Sequence, residues 1–268
     1  MDLKLEGKKA LVTGSSGGIG RAIAKRLAQE GTMIVVHGRD KHRIDETVAE
    51  IHECGGRAIG LALDLCESDG PTVLLDQACK QLGGSIEILI NNSGSYAARE
   101  FLETTPETWD EFYRADVLPA VALILKGGKM MAHQGWGRIV NIASGLATTP
   151  QTSMADYAAA KAALVNATVS ASKAFAPAGV TVNTVSPGLI RTAGVERVLQ
   201  DQAARRGWGR DWPTIERRWF EEVLHSEVRR LGRPEEVADL VAFIASPLAD
   251  YISGANLRID GGKSPSIN

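Results

Sequence analysis

No uninterrupted apolar run in the 268-residue sequence approaches the ~20 residues that a membrane-spanning helix needs. The start, MDLKLEGKKALVTG, has neither a long apolar stretch nor a cleavage-site pattern, so no secretory signal is expected. Cysteine is scarce. Cys54, Cys66 and Cys79 are odd in number and lack CxxC or zinc spacing, so the reading is reduced thiols, no metal, and a cytoplasmic protein. Charge of one sign is also missing: the formal net charge is -2, which leaves no global basic field to recruit nucleic acid or an anionic membrane. With no internal repeat, low-complexity tract or linker, residues 1–268 read as one domain. Apolar residues at 44% and charged residues at 23% are ordinary for a globular chain.

What is present is a rhythm. Short apolar runs are predicted as strands over Lys9–Thr13, Thr32–His37, Arg57–Leu63, Glu87–Asn91, Arg138–Ile142, Thr181–Ser186 and Asn256–Ile259. Helical patterns lie between them, over Gly18–Glu30, Asp40–Cys54, Ser68–Leu82, Pro106–His133, Ala155–Ala176 and Glu235–Ala245. The runs are continuously apolar rather than alternating, as suits strands covered on both faces. The prediction is α/β: a doubly wound, Rossmann-type, seven-stranded parallel sheet with helices on both faces. Residues 193–230 break the rhythm, being charged and carrying Trp208, Trp212 and Trp219, and they are predicted to form a helical substrate lid. The plainer reading of this segment is a solvated helical insertion.

Thr13–Gly20 reads TGSSGGIG between the first strand and first helix. Gly14, Gly18 and Gly20 let the backbone turn tightly and approach a pyrophosphate, and the helix N-terminus offers free N–H groups to phosphate. Ser15, Ser16 and Ile19 complete this candidate cofactor-binding loop. At the end of the second strand, Gly38 occupies the place where an acidic residue would bind the ribose hydroxyls of NAD. Arg39 follows and suits a 2′-phosphate. NADP(H) is therefore the expected cofactor, with NAD(H) as the alternative. Asp40 reads as the cap of the next helix. His37 and His42 read as inert.

Further motifs fall in order: Asp64-Leu65, then Asn91-Asn92-Ser93-Gly94, Ser144, Tyr157 and Lys161 as YAAAK, Pro187-Gly188 with Ile190 and Thr192, and ISGANLRIDGG near the end. Together they make the chain resemble the short, single-domain branch of the short-chain dehydrogenase/reductases, similar to 3-oxoacyl reductases, from about Leu5 to Gly262. The resemblance implies that Asp64, Leu65, Asn92, Gly94, Gly188, Ile190 and Thr192 contact the cofactor. It also implies that Lys161 binds the nicotinamide ribose, and that the protein is a homotetramer. Tyr157 and Lys161, four apart on a helix, share a face. A tyrosine pKa near ~10 is too high for easy proton exchange, and an adjacent ammonium lowers it. Tyr157 is then the general acid/base and Ser144 the holder of the substrate oxygen.

One position departs from the family: Asp116 stands where an Asn is usual, and its carboxylate is expected to pair with Lys161. Gly17 departs as well, standing where NADP-preferring relatives often have a basic residue. The expected partner is a small carbonyl or alcohol substrate, free or bound to an acyl carrier or coenzyme A. The alternative function is a non-catalytic dinucleotide-binding regulator or scaffold. A sugar-nucleotide epimerase is disfavoured by the TGxxxGxG spacing.

Overall fold

The continuous apolar runs become strands because both of their faces are covered. The computed structural model describes residues 1–224 and 226–265. In it, β1 (Lys9–Val12), β2 (Met33–Gly38), β3 (Arg57–Ala62), β4 (Ile88–Asn91), β5 (Gly137–Ile142), β6 (Val180–Pro187) and β7 (Asn256–Ile259) form one sheet in the order β3-β2-β1-β4-β5-β6-β7. Every strand pairing is parallel. This is the Rossmann-type sheet expected, and the predicted strands end within two residues of the observed ones.

Alternate residues serve opposite layers. Ala10, Val12, Ile34, Val36, Ile88 and Ile90 join one core with α1 (Gly18–Gln29), α2 (Lys41–Glu53) and α9 (Pro234–Ile244). Leu11, Val35 and Leu89 join the other with α3 (Gly70–Gln81) and α5 (Leu118–Gln134), flanked by the end of α6 (Ala155–Phe175). Each fully buried aliphatic side chain contributes about 1.5–3 kcal/mol, so neither layer is optional. The sheet order reverses between β1 and β4, and the chain leaves their C-terminal ends on opposite sides. That divergence opens the crevice in which ligands bind in this architecture.

Two stretches differ from the periodicity of the sequence. The single helical pattern over Pro106–His133 is broken into α4 (Pro106–Phe112), a π-helical turn at Tyr113–Val117, and α5. Pro119 is the physical reason. It has no N–H to offer Ala115, one turn back, so the ladder widens and Leu118 N donates to Tyr113 O instead. Residues 193–230 contain two helices, α7 (Ala193–Arg206) and α8 (Trp212–Glu222). Leu199, Ala203, Trp208, Ile215, Phe220 and Leu231 give them a small core of their own. Among the described residues, no helix is long and apolar enough to cross a membrane.

Candidate functional site

The Gly-rich turn is built to be tight. Gly14 and Gly18 have φ of 63° and 54°, which glycine adopts without steric cost. A Cβ on Gly20 would stand 2.5 Å from the Gly14 carbonyl oxygen, so α1 could not otherwise come this close. The chain after β4 braces the turn. Thr13 Oγ1 accepts from Asn92 N at 2.9 Å and Ser93 N at 3.0 Å, while the Asn92 amide donates to Thr13 O and Gly14 O. Ser15, expected to face the cofactor, is turned inward. Its hydroxyl donates to Val12 O and accepts from His37 N, and its own N–H donates to His37 O. These bonds satisfy backbone groups of β1 and β2 that would otherwise be orphaned.

His37, read from sequence as inert, lies under the same turn. Its Nδ1 accepts from Gly14 N at 3.2 Å, which leaves Nε2–H to donate to Leu63 O at 3.1 Å. Burial drives its pKa down from 6.5 to about 4.

Two cavities flank the turn. One, of about 410 Å³, is lined by Gly14, Ser16, Gly38, Arg39, Arg43, Asp64, Leu65, Asn92 and Gly94 among others. Arg39 is 79% exposed at its mouth, with Nη1 4.0 Å from Asp64. Asp40 caps α2, as expected, by accepting from His42 N and Arg43 N. The cap fixes the first turn of α2 so that the Arg43 guanidinium lies over Gly17, where a Cβ would collide with it. Sequence reading missed Arg43. Its signal was only its place one helical turn beyond Arg39. Arg43 makes no ion pair among the described residues.

The second cavity, of about 470 Å³, is lined by Ile19, Ser144, Tyr157, Gly188, Ile190 and Thr192 from the sequence-predicted set. Thr192 caps α7 by accepting from Val195 N, and its methyl faces Gly18 across the turn. Sequence reading also missed several wall residues: Tyr96, Leu146, Gln151, Met154, Lys263 and Ser264. From the 193–230 segment, Gly194, Val195, Val198, Trp219 and Leu224 reach this cavity. Trp208 and Trp212 do not, and Trp208 is buried in the segment's own core. Of the segment's arginines, Arg217 and Arg218 pair with Glu221 and Glu222 on the α8 surface, as the plainer reading expected.

Tyr157 rises from the first turns of α6, edge-on to Phe112 and Tyr96. Lys161, one turn later, is buried with its Nζ 5.6 Å from the Tyr157 ring centroid. The ammonium lies 3.0 Å from Asp116 Oδ2 and 3.4 Å from Ile142 O. Burial opposes its charge, but the facing Tyr157 and Asp116 outweigh this and hold its pKa above the ordinary lysine value. The π-turn carries Asp116 to that position, and Asp116 Oδ1 accepts from Ser95 N at 2.6 Å. A side chain on Gly94 would crowd both Lys161 and Asp116. Ser144 leaves the C-terminal end of β5, with its Oγ accepting from Leu146 N.

The sequence profile described as short chain dehydrogenase matches residues 8–203. The chain is 34% identical over 263 residues to the 3-oxoacyl-(acyl-carrier-protein) reductase FabG of Aquifex aeolicus, covering 98% of this chain and 99% of that one. L-sorbose reductase from Gluconobacter frateurii, solved with NADPH and L-sorbose, is 30% identical with a TM-score of 0.93 over 100% of both chains. A 7α-hydroxysteroid dehydrogenase, solved with NADH and 7-oxo glycochenodeoxycholic acid, is 29% identical with a TM-score of 0.87, covering 100% of this chain and 98% of that one.

Proposed function

The chain belongs to the short-chain dehydrogenase/reductase family, and from that premise we propose that it is an NADP(H)-dependent oxidoreductase interconverting a ketone, or a 3-oxoacyl group, and a secondary alcohol. One observation carries the reading. Tyr157 shares a 470 Å³ cavity with Ser144, and a buried lysine held in its charged form stands behind it.

The residues present fit a nicotinamide dinucleotide. The Gly-rich turn lies between the two cavities, with Gly14 and Ser16 on one wall and Ile19 on the other. Its close backbone approach and the α1 N-terminus suit a pyrophosphate there. Arg39 and Arg43 in the first cavity favour NADP(H), and NAD(H) remains the alternative. Gly188, Ile190 and Thr192 would border the nicotinamide in the second. When bound, this group supplies or accepts the hydride at the carbonyl carbon.

The chain's own residues do the rest. Ser144 holds the carbonyl oxygen. Tyr157 gives that oxygen a proton in reduction and takes one from the alcohol in oxidation. Lys161 stands behind Tyr157 with its ammonium, whose positive charge favours the phenolate side of this exchange. The α7–α8 segment closes the cavity as a lid. We also read the protein as a cytoplasmic homotetramer. Its three cysteines are unbridged, and α5 presents exposed Leu118 and Leu125 beside Tyr113, apolar surface that another subunit would cover.

The test is a panel of ketones, acyl thioesters and alcohols with each nicotinamide cofactor, repeated with Tyr157→Phe. The wild type should turn over a carbonyl substrate, and the variant should lose at least ~10²-fold in rate while binding NADP+ unchanged. Full activity in the variant would sink the mechanism.

A further inference from the structure

The cavity beside Tyr157 is mostly apolar, yet an ammonium stands on its wall. Lys263 follows β7 and lines the cavity together with Ser264 and the Asp260 carboxylate. The carboxylate nearest in sequence, Asp260, does not neutralise it at close range. Asp260 Oδ1 accepts from Gly262 N and Oδ2 from Ser264 N, each at 3.1 Å, and no ion pair joins it to Lys263 within 4.0 Å. Burial holds the Lys263 pKa below the ordinary lysine value, with Asp260 opposing the shift only in part. Among the described residues, the ammonium has therefore lost water without gaining a salt bridge within 4.0 Å.

Other donors on this wall are in the same condition. The indole N–H of Trp219 is buried with no hydrogen-bond partner among the described residues, and the buried Ser264 hydroxyl faces the Asp260 carboxylate without a hydrogen bond of normal geometry. Ser264 is also close to the reacting end of the cavity: its Oγ lies 3.6 Å from where a Cβ on Gly145 would be, next to Ser144. A buried donor left unpaired costs free energy, and a buried unpaired cation costs more. A ligand that brings an anion to this wall recovers both.

Resting on the oxidoreductase reading above, we propose that the substrate is an oxo- or hydroxycarboxylic acid whose carboxylate is held by Lys263 and Ser264 while Ser144 and Tyr157 engage its carbonyl or hydroxyl oxygen. Apolar residues such as Leu146, Met154, Val198 and Leu224 then enclose the carbon skeleton. A neutral ketone fills the same volume but leaves the ammonium unpaired. The arrangement therefore selects the acid by charge, in the way that a site built for one polar group rejects analogues lacking it.

The test compares levulinate and acetoacetate with their methyl esters, both as substrates with NADPH and as ligands of the NADP+-saturated enzyme by isothermal titration calorimetry. The acids should be favoured at least tenfold in kcat/KM and in affinity. Lys263→Met should abolish that preference while leaving the esters and the NADP+ dissociation constant unchanged, and Lys263→Arg should retain most of it. Equal handling of acid and ester by the wild type overturns the proposal without any variant. So does a Lys263→Met variant that loses NADP+ affinity instead, because the lysine would then serve the cofactor. Acid-selective binding without turnover would support the anion site and count against the oxidoreductase reading. Turnover without acid selectivity would do the reverse.

Discussion

The Lys161 ammonium and the Asp116 carboxylate stand 3.0 Å apart, and both are sealed from solvent. The pair puts a negative charge behind the positive one that serves Tyr157, so the net field at the phenol is weaker than lysine alone would produce. Asp116→Asn keeps an oxygen for Ser95 N and removes the charge. Lys161, relieved of the carboxylate that helps to hold its pKa up and left to respond to its burial, becomes easier to deprotonate. The limb of the kcat/KM–pH profile that reports this lysine should move to lower pH. A profile identical to that of the wild type would mean that only the main chain at this position matters.

Arg43 occupies the space above Gly17 that a basic residue at position 17 would otherwise fill. Arg39→Ala and Arg43→Ala should each weaken NADP+ binding roughly tenfold, the lower end for a charge-assisted bond, and leave NAD+ binding unchanged. Titration calorimetry with the two nucleotides measures this directly. If Arg43→Ala affects both equally, its guanidinium does not meet the 2′-phosphate. Gly38→Asp is a poor alternative for reversing preference, because a Cβ there would approach Ser16 Oγ to 2.6 Å.

His37 links the turn to acid. Its pKa of about 4 lies below the ordinary 6.5, so below pH 6.5 the unfolded chain takes up a proton that the folded one refuses. Stability from this group is complete above pH 6.5 and is lost as pH falls towards 4, by roughly 3 kcal/mol in all at ~1.4 kcal/mol per unit. Urea denaturation of the wild type and His37→Gln between pH 7 and 4.5 should show a shallower dependence in the variant. Parallel curves would mean that other groups carry the acid sensitivity.

The α7–α8 segment meets the sheet through few shared residues and has a core of its own. Its amides should exchange hydrogen faster than those of β1, β4 and β5, and slow when NADP+ and a bound acid or alcohol are present. Exchange as slow as in the sheet, with no ligand effect, would contradict a lid.

Legibility followed locality. The strands could be read because burial on both faces leaves a continuous apolar run in one stretch of chain. Tyr157 and Lys161 could be read because a helix converts a spacing of four into a shared face. Arg43 escaped because its value depends on an empty space at Gly17, twenty-six residues earlier. The orientations of His37 and Ser15 were not legible for a related reason: whether a polar side chain faces a ligand or braces a neighbouring strand is decided by the packing of β2 against the turn. Lys263 and Ser264 carry no motif, and only the return of β7 beside β6 brings them to Ser144. The pairing of Asp116 with Lys161 was expected from the sequence and is present, whereas the π-turn before Pro119 that carries Asp116 there was hidden in a single helical pattern.

The separate core of the α7–α8 segment divides the molecule into two inheritances. Val195, Trp219 and Leu224 line the cavity, and they pack against a cluster that includes Leu199, Ala203, Ile215 and Phe220. Mutation can therefore reshape the entrance without disturbing α6, where Tyr157 and Lys161 are fixed. A lineage built this way can change its diet while keeping its chemistry, and a designer seeking a new substrate should begin in the same place.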